Sequence, residues 1–130
     1  MKKTPLLHAQ LSRIVASLGH GDLLVVGDAG LPIPRGVETV DLALTQGVPG
    51  FLETLRVVLL ELHVERHWLA AEAETRSPQL WKAVEGLAIP GRHVLAHAEL
   101  KALTQSARAV VRTGEFTPYA NVVLGAGVVF

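Results

Sequence analysis

The sequence predicts an α/β fold with three layers, in which helices flank a mainly parallel β-sheet. Short, continuous apolar runs such as Leu23–Val26 are too short for helices and fit strands that are buried on both faces. These runs alternate with segments whose apolar residues recur every three or four positions, which is the spacing of a helix with one buried face. Strands and helices that alternate along a chain are typical of a layered fold with a parallel sheet.

Five helix or strand signals follow one another in the first half of the chain. Leu7–Leu18 has one apolar face and ends at a glycine, which predicts a helix. Leu23–Val26 is the buried strand, and alternation predicts a second short strand at Thr39–Leu44. A helix opened by Pro49 and a strand at Val64–Ala71 are expected next.

The second half continues the same alternation. Ser77 followed by Pro78 is a typical helix start. A strand is then expected at His93–Ala96, a helix at His97–Ser106 and a β-branched strand at Ala109–Arg112. The last apolar segments are predicted to form a final pair of strands, with antiparallel pairing possible there, at Asn121–Leu124 and Val128–Phe130.

Size and composition limit the classes of function. The chain has 130 residues, and we expect residues 1–130 to form a single domain. Basic and acidic residues balance at 12 each without a basic stripe, so nucleic acid is not expected as a partner. No cysteine is present, which excludes thiolate metal sites and fits a cytoplasmic protein. We expect neither a signal peptide nor a membrane span, because the apolar stretches are short.

Two polar segments are the best candidates for a binding site, residues 18–34 (LGHGDLLVVGDAGLPIP) and 112–121 (RTGEFTPYAN). Asp28 follows the first buried strand, and ligands of open α/β sheets bind beyond the carboxyl ends of strands. The alternative is that Asp28 caps a turn, since Ala-Gly-Leu-Pro follows it. His20 lies between two glycines, which favours an accessible ring, and histidine is a natural proton donor or acceptor near neutrality. Its alternative role is an interaction with a helix C-terminus.

Metals and cofactors are not expected. His63 and His67 are four residues apart, as are His93 and His97, but neither pair has the zinc-protease pattern or an evident third ligand. The chain also lacks a P-loop and a nucleotide-binding glycine motif. The chemistry that remains is proton transfer on a small neutral polyol.

The chain resembles the D-ribose pyranase family, whose superfamily also contains the L-fucose mutarotases. The resemblance runs from end to end and rests on LGH at 18–20, DAGLPIP at 28–34, RTGEFTPYAN at 112–121 and the closing GVVF. Gly30 and Leu31 are ribose-type, since fucose mutarotases have histidine and phenylalanine there. Ala120 is ribose-type as well. Gly21 is fucose-like, and His8 and Ala98 also depart from the family pattern.

This resemblance implies a Rossmann-like topology and an isomerase that interconverts the pyranose form of D-ribose with its furanose or open-chain forms, feeding a ribokinase. It also implies a cytoplasmic homo-oligomer of stacked rings, a decamer or an octamer, with the site near a subunit boundary. The family's catalytic residue carries over to His20, and its substrate-binding residues carry over to Asp28, His97, Tyr119, Ala120 and Asn121.

On this basis we expect His20 to donate a proton to the ring oxygen, with Asp28 orienting it or binding a sugar hydroxyl. His97 is the candidate for a second proton-handling or hydroxyl-binding group, and Tyr119 and Asn121 are expected to fix the sugar. Two alternatives remain open at the level of sequence. One is a mutarotase of L-fucose or another sugar, and the other is a non-catalytic ribose-binding accessory to a transporter.

Overall fold

The computed structural model describes residues 1–130 and confirms the predicted α/β fold. One six-stranded sheet is flanked by helices on both faces. The strands are β1 (Leu23–Gly27), β2 (Glu38–Asp41), β3 (Val64–Ala70), β4 (Arg92–Leu95), β5 (Ala109–Arg112) and β6 (Val122–Ala126). The helices are α1 (Ala9–Ser17), α2 (Phe51–Leu59), α3 (Glu72–Arg76), α4 (Pro78–Gly86) and α5 (His97–Leu103), and a short 3₁₀ turn follows at Thr104–Ser106. None of these helices combines the length and the apolar character that a membrane span requires.

The strand order in the sheet is β2-β5-β1-β6-β3-β4, and five strands run parallel. β6 alone runs antiparallel, and it lies between β1 and β3 rather than at an edge. The start of β6 therefore lies beside the ends of its parallel neighbours. We call this side, where β1 ends at Gly27 and β6 begins at Val122, the carboxyl end of the sheet. The amino end is the opposite side, where β1 begins at Leu23 and β6 ends at Ala126.

Strand β1 is buried on both faces, as its continuous apolar run predicts. Leu24 and Val26 belong to the larger core cluster, which is formed with α1, α2 and α4. Leu23 and Val25 belong to a smaller cluster that includes Leu100 of α5. Full burial of one such side chain stabilises the fold by roughly 1.5–3 kcal/mol, so β1 anchors both layers of helices.

Several element boundaries differ from the predicted ones for local reasons. α1 begins at Ala9 because the Nδ1 of His8 accepts the N–H of Leu11 at 3.2 Å and caps the helix. β2 ends at Asp41, whose carboxylate accepts the N–H of Ala43 at 3.1 Å and turns the chain there. The segment predicted as one helix at His97–Ser106 consists of α5 and the 3₁₀ turn.

Three details of the predicted element order are wrong. The predicted strand Val128–Phe130 is absent, and Val129 and Phe130 are exposed. The short helix α3, which follows β3 directly, was not predicted, whereas the strand expected at Val64–Ala71 is present as β3 and ends one residue early. α2 begins at Phe51 rather than at Pro49, because a glycine occupies its N-cap position.

Candidate active site

The fold divides the sequence-predicted site residues into two groups. His20 lies in the turn before β1, at the amino end of the sheet. The other five follow β1, follow β4 or precede β6, which brings them to the carboxyl end, and they are Asp28, His97, Tyr119, Ala120 and Asn121.

Asp28 is held in place by the side-chain amide of Asn121. The N–H of Asp28 donates to Asn121 Oδ1 at 3.0 Å, and Asn121 Nδ2 donates to Asp28 Oδ2 at 2.9 Å. The other carboxylate oxygen of Asp28 accepts the N–H of Gly30 at 2.9 Å, which is the turn-capping contact expected from the sequence. Asn121 is only 1% exposed, so its amide serves Asp28 while the half-buried carboxylate remains accessible.

The segment between β5 and β6 packs against the loop that carries Asp28. The hydroxyl of Thr113 donates to the carbonyl of Gly27 at 2.8 Å. The N–H of Ala29 donates to the carbonyl of Glu115 at 2.9 Å. These two bonds join the two polar segments that the sequence singled out, although they lie more than eighty residues apart in the chain.

Glu115 organises this segment through its carboxylate. Its oxygens accept the N–H of Phe51 at 3.1 Å, which caps α2, and the N–H and hydroxyl of Thr117 at 3.2 and 2.7 Å. Burial alone would raise the pKa of Glu115, but the hydrogen bonds from Thr117, Phe51 and Phe116 together lower that pKa below its ordinary value of 4.5. Glu115 is therefore an ionised structural group beside the site.

A cavity of about 390 Å³ opens at this point of the carboxyl end. Its volume is in the range of small-molecule sites. Arg112 Nη1 donates to both carboxylate oxygens of Asp41, at 3.0 and 3.1 Å, and Arg112 Nε donates to the carbonyl of Ala29 at 3.0 Å. The lining residues are Asp28, Ala29, Gly30, Arg112, Glu115 and Phe116. The Asp28 and Glu115 carboxylates of this lining can accept hydrogen bonds from the hydroxyls of a polyhydroxy ligand.

Tyr119 and His97 meet edge to face at the same carboxyl end of the sheet. Their ring centroids are 5.0 Å apart with an interplanar angle of 87°. Tyr119 has a φ of 62°, a left-handed conformation that costs free energy in a residue other than glycine and is common at ligand sites. The Nδ1 of His97 is buried without a hydrogen-bond partner. Ala120, between Tyr119 and Asn121, is fully buried in the single chain.

Glu72 fixes the backbone of His97. The N–H of His97, at the first position of α5, donates to both carboxylate oxygens of Glu72 at 3.0 Å. A carboxylate at a helix N-terminus satisfies free N–H groups and interacts favourably with the helix dipole. Glu72 thus connects the end of β3 to the start of α5 and sets the position from which His97 reaches Tyr119.

His20 has a different partner from the one expected. Its Nε2 lies 2.9 Å from Glu65 Oε2, and the His20 side chain is 60% exposed. The five residues of β1 lie between His20 and Asp28, a separation of at least about 17 Å at 3.3 Å per residue. Asp28 therefore does not orient His20 within one chain.

The remaining histidines have separate surroundings. His8 caps α1, His63 is exposed, and His93 stacks on Trp68 with ring centroids 5.5 Å apart. His67 is 3% exposed, and its Nδ1 lies 2.8 Å from the carbonyl of Pro90. No three histidine, aspartate or glutamate side chains come together in a way that could hold a metal ion.

Sequence reasoning did not identify Glu65, Glu72 or Glu115. Glu115 lies inside the polar segment 112–121, so its location was signalled although its role was not. Glu65 and Glu72 act on residues 45 and 25 positions away, and no local pattern marks such contacts.

Comparison with known proteins agrees with this architecture. Residues 1–129 match the model of the RbsD / FucU transport protein family. A D-ribose pyranase of Pseudomonas entomophila is 58% identical, and one of Pseudomonas fluorescens is 56% identical, each over 100% of both chains. The structure of Bacillus subtilis RbsD complexed with D-ribose superposes with a TM-score of 0.97 at 46% identity, again over 100% of both chains. The chain belongs to the RbsD / FucU family.

Proposed function

We propose that this chain is a D-ribose pyranase, an isomerase that interconverts the pyranose and furanose or open-chain forms of D-ribose. The observation that carries this proposal is the full-length superposition on a ribose-bound relative at 46% identity. The full-length relatives from Pseudomonas are D-ribose pyranases too. The carboxyl end of the sheet supplies what such a substrate needs, namely a small polar cavity with hydroxyl-binding groups.

The reaction requires only proton transfers. The bond between the anomeric carbon and the ring oxygen breaks as the ring oxygen gains a proton and the anomeric hydroxyl loses one, which leaves an aldehyde. Attack by a different hydroxyl then closes the other ring size. Positioned acid and base groups accelerate such steps by about 10²–10⁴-fold. In this proposal His20 donates the proton to the ring oxygen.

The carboxyl-end residues bind the sugar in distinct ways. The Asp28 carboxylate accepts hydrogen bonds from sugar hydroxyls, and Asn121 holds that carboxylate in place. The Tyr119 ring supplies a stacking face, and His97, which contacts that ring edge to face, supplies a further hydrogen-bonding side chain. Ala120, buried between Tyr119 and Asn121, is proposed to complete this group of substrate-binding residues.

Because His20 and Asp28 lie at opposite ends of strand β1, the site is proposed to form between subunits. His20 of one protomer would then face the carboxyl-end residues of its partner. Exposed apolar side chains near the cavity support such a contact, since Phe116 is 61% and Leu44 is 81% exposed. The proposed assembly is the cytoplasmic homo-oligomer of stacked rings, a decamer or an octamer, in which each chain is a single domain.

Saturation-transfer NMR on equilibrated D-ribose tests this function. The protein is expected to speed the exchange between β-pyranose and the other forms, and His20→Ala is expected to abolish most of that acceleration while the oligomer persists. His93→Gln, a change at an exposed histidine on the outer strand β4, is the matched control. Faster exchange of L-fucose but not of ribose would favour the fucose mutarotase. Ribose binding without faster exchange would favour the transporter accessory.

A further inference from the structure

We propose that Glu65 is the positioning residue for His20, and that His20 Nδ1 is the nitrogen that exchanges the proton with the sugar. This inference rests on the proposed function. It names a residue and an atom that the reaction depends on.

The inference starts from the contact between the two side chains. His20 Nε2 and Glu65 Oε2 are 2.9 Å apart. An ionised carboxylate can only accept hydrogen bonds, so Nε2 must carry the proton in this contact. The hydrogen bond made by one ring nitrogen decides which tautomer is present, so neutral His20 is the Nε2–H form. Nδ1 is then the nitrogen left free to take up or release a proton.

The turn that carries His20 is fixed on both sides. The N–H of Gly19 donates to Asp22 Oδ2 at 2.8 Å, and the N–H of Gly21 donates to the carbonyl of Ala126 at 2.8 Å. Arg108 pairs with the same Asp22 oxygen at 2.9 Å. Since the backbone is held in this way, the orientation of the exposed ring depends on its side-chain partner, and that partner is Glu65.

Glu65 is itself placed by close packing at the amino end of the sheet. A Cβ on Gly91 would collide with the Glu65 carbonyl, and a Cβ on Gly127 would lie 3.1 Å from the Glu65 Cβ. Position 91 therefore accommodates the strand only as glycine, and a larger residue at position 127 would crowd the Glu65 side chain. The second carboxylate oxygen of Glu65 lies 3.9 Å from Arg66 Nε, which leaves Oε2 for His20. The Glu65 side chain is 35% exposed, less than the ring that it holds.

Two variants separate orientation from a general structural role. The amide oxygen of Gln in Glu65→Gln still accepts the Nε2–H, whereas Leu in Glu65→Leu offers no acceptor. We expect Glu65→Leu to lower kcat for ribose ring exchange about 10-fold or more with KM nearly unchanged, because a loss of positioning weakens the proton-transfer step. Glu65→Gln is expected to restore most of that rate. Glu85→Gln and Glu85→Leu, at the exposed pair with Arg92, are the matched controls.

The second measurement does not depend on activity. Nitrogen-15 NMR of histidine-labelled oligomeric protein, at a pH where imidazole is neutral, reports the tautomer of His20. We expect the Nε2–H form in the wild type and in Glu65→Gln, and a tautomer mixture in Glu65→Leu. An Nδ1–H form in the wild type, or an unchanged tautomer and rate in Glu65→Leu, would overturn the inference. If the wild type speeds no sugar exchange, the proposed function fails, while the spectra still decide whether Glu65 holds Nε2.

Discussion

His20 and Asp28 stand at opposite ends of the same strand, β1, with its five residues between them. Neither side chain can reach the other within one chain, so a site that uses both needs two protomers. This arrangement predicts complementation between two inactive variants, His20→Ala and Asp28→Asn. If the two are refolded together, about a quarter of the sites formed at random between subunits combine an intact His20 with an intact Asp28.

Ring-exchange rates of the mixed oligomer, measured by saturation-transfer NMR, should therefore exceed the sum of the separate variants. The matched control mixes Asp28→Asn with Asn121→Ala. Both changes affect the carboxyl end of the sheet, so every protomer in this mixture carries an altered carboxyl-end group and no intact site can form. Activity in the first mixture that equals the sum of its parts would contradict a site shared between subunits.

Asn121 gives a prediction about affinity. Its amide satisfies both the N–H and one carboxylate oxygen of Asp28 while being 1% exposed. Asn121→Ala leaves these groups without partners and is expected to lower the free energy of unfolding by about 1–3 kcal/mol. Ribose affinity should fall as well, because the Asp28 carboxylate loses its orientation. Calorimetric titration with ribose and urea unfolding measure the two effects, and an unchanged Kd would argue against the role of Asn121.

The sequence predicted the carboxyl-end group better than the amino-end pair for a physical reason. Asp28 directly follows a buried strand, and such a position is recognisable from local pattern alone. Tyr119 and Asn121 reach the same place because β6 runs antiparallel, so that its start and not its end lies beside Asp28. The antiparallel direction of β6 is seen in the pairing of the sheet, and the periodicity of the last segment does not determine it.

The contact between His20 and Glu65 depends on pairing across the sheet. β6 lies between β1 and β3, and only this order brings the turn before β1 to the start of β3. Long-range pairing of this kind leaves no mark on local composition. The same limit explains the wrong strand at Val128–Phe130, where apolar residues are exposed on the single chain.

Glu72 gives a prediction that connects stability to the site. Glu72→Ala removes the acceptor of the His97 N–H, and loss of a helix cap of this kind costs about 0.5–2 kcal/mol. His97 should also shift relative to Tyr119, which is expected to weaken ribose binding several-fold. Glu99→Ala, an exposed acid in the first turn of the same helix, is the control and should leave binding intact. Equal Kd values for both variants would show that the cap does not affect the site.

His67 predicts how stability depends on pH. Burial lowers the pKa of His67 below its ordinary value of 6.5. The hydrogen bond to the Pro90 carbonyl opposes this shift, and the charges of Arg92 and His93 add to it. Below pH 6.5 the His67 side chain is therefore protonated in the unfolded chain while it stays neutral in the folded chain. Stability from this residue is fully present above pH 6.5 and is lost as pH falls towards the folded pKa, by up to about 1.4 kcal/mol per pH unit.

Urea unfolding at fixed protomer concentration between pH 7.5 and pH 5.5 measures this loss. His67→Asn keeps a donor for the Pro90 carbonyl but cannot titrate, so its stability should change less over the window even if it is lower throughout. The pKa values of Glu61 and Glu115 are lowered from 4.5, so their contributions are lost only in more acidic solution and leave this window undisturbed. His63→Asn, at an exposed histidine that is not among the groups that shift the pKa of His67, should keep the wild-type slope. Parallel curves for the wild type and His67→Asn would assign the pH dependence to another group.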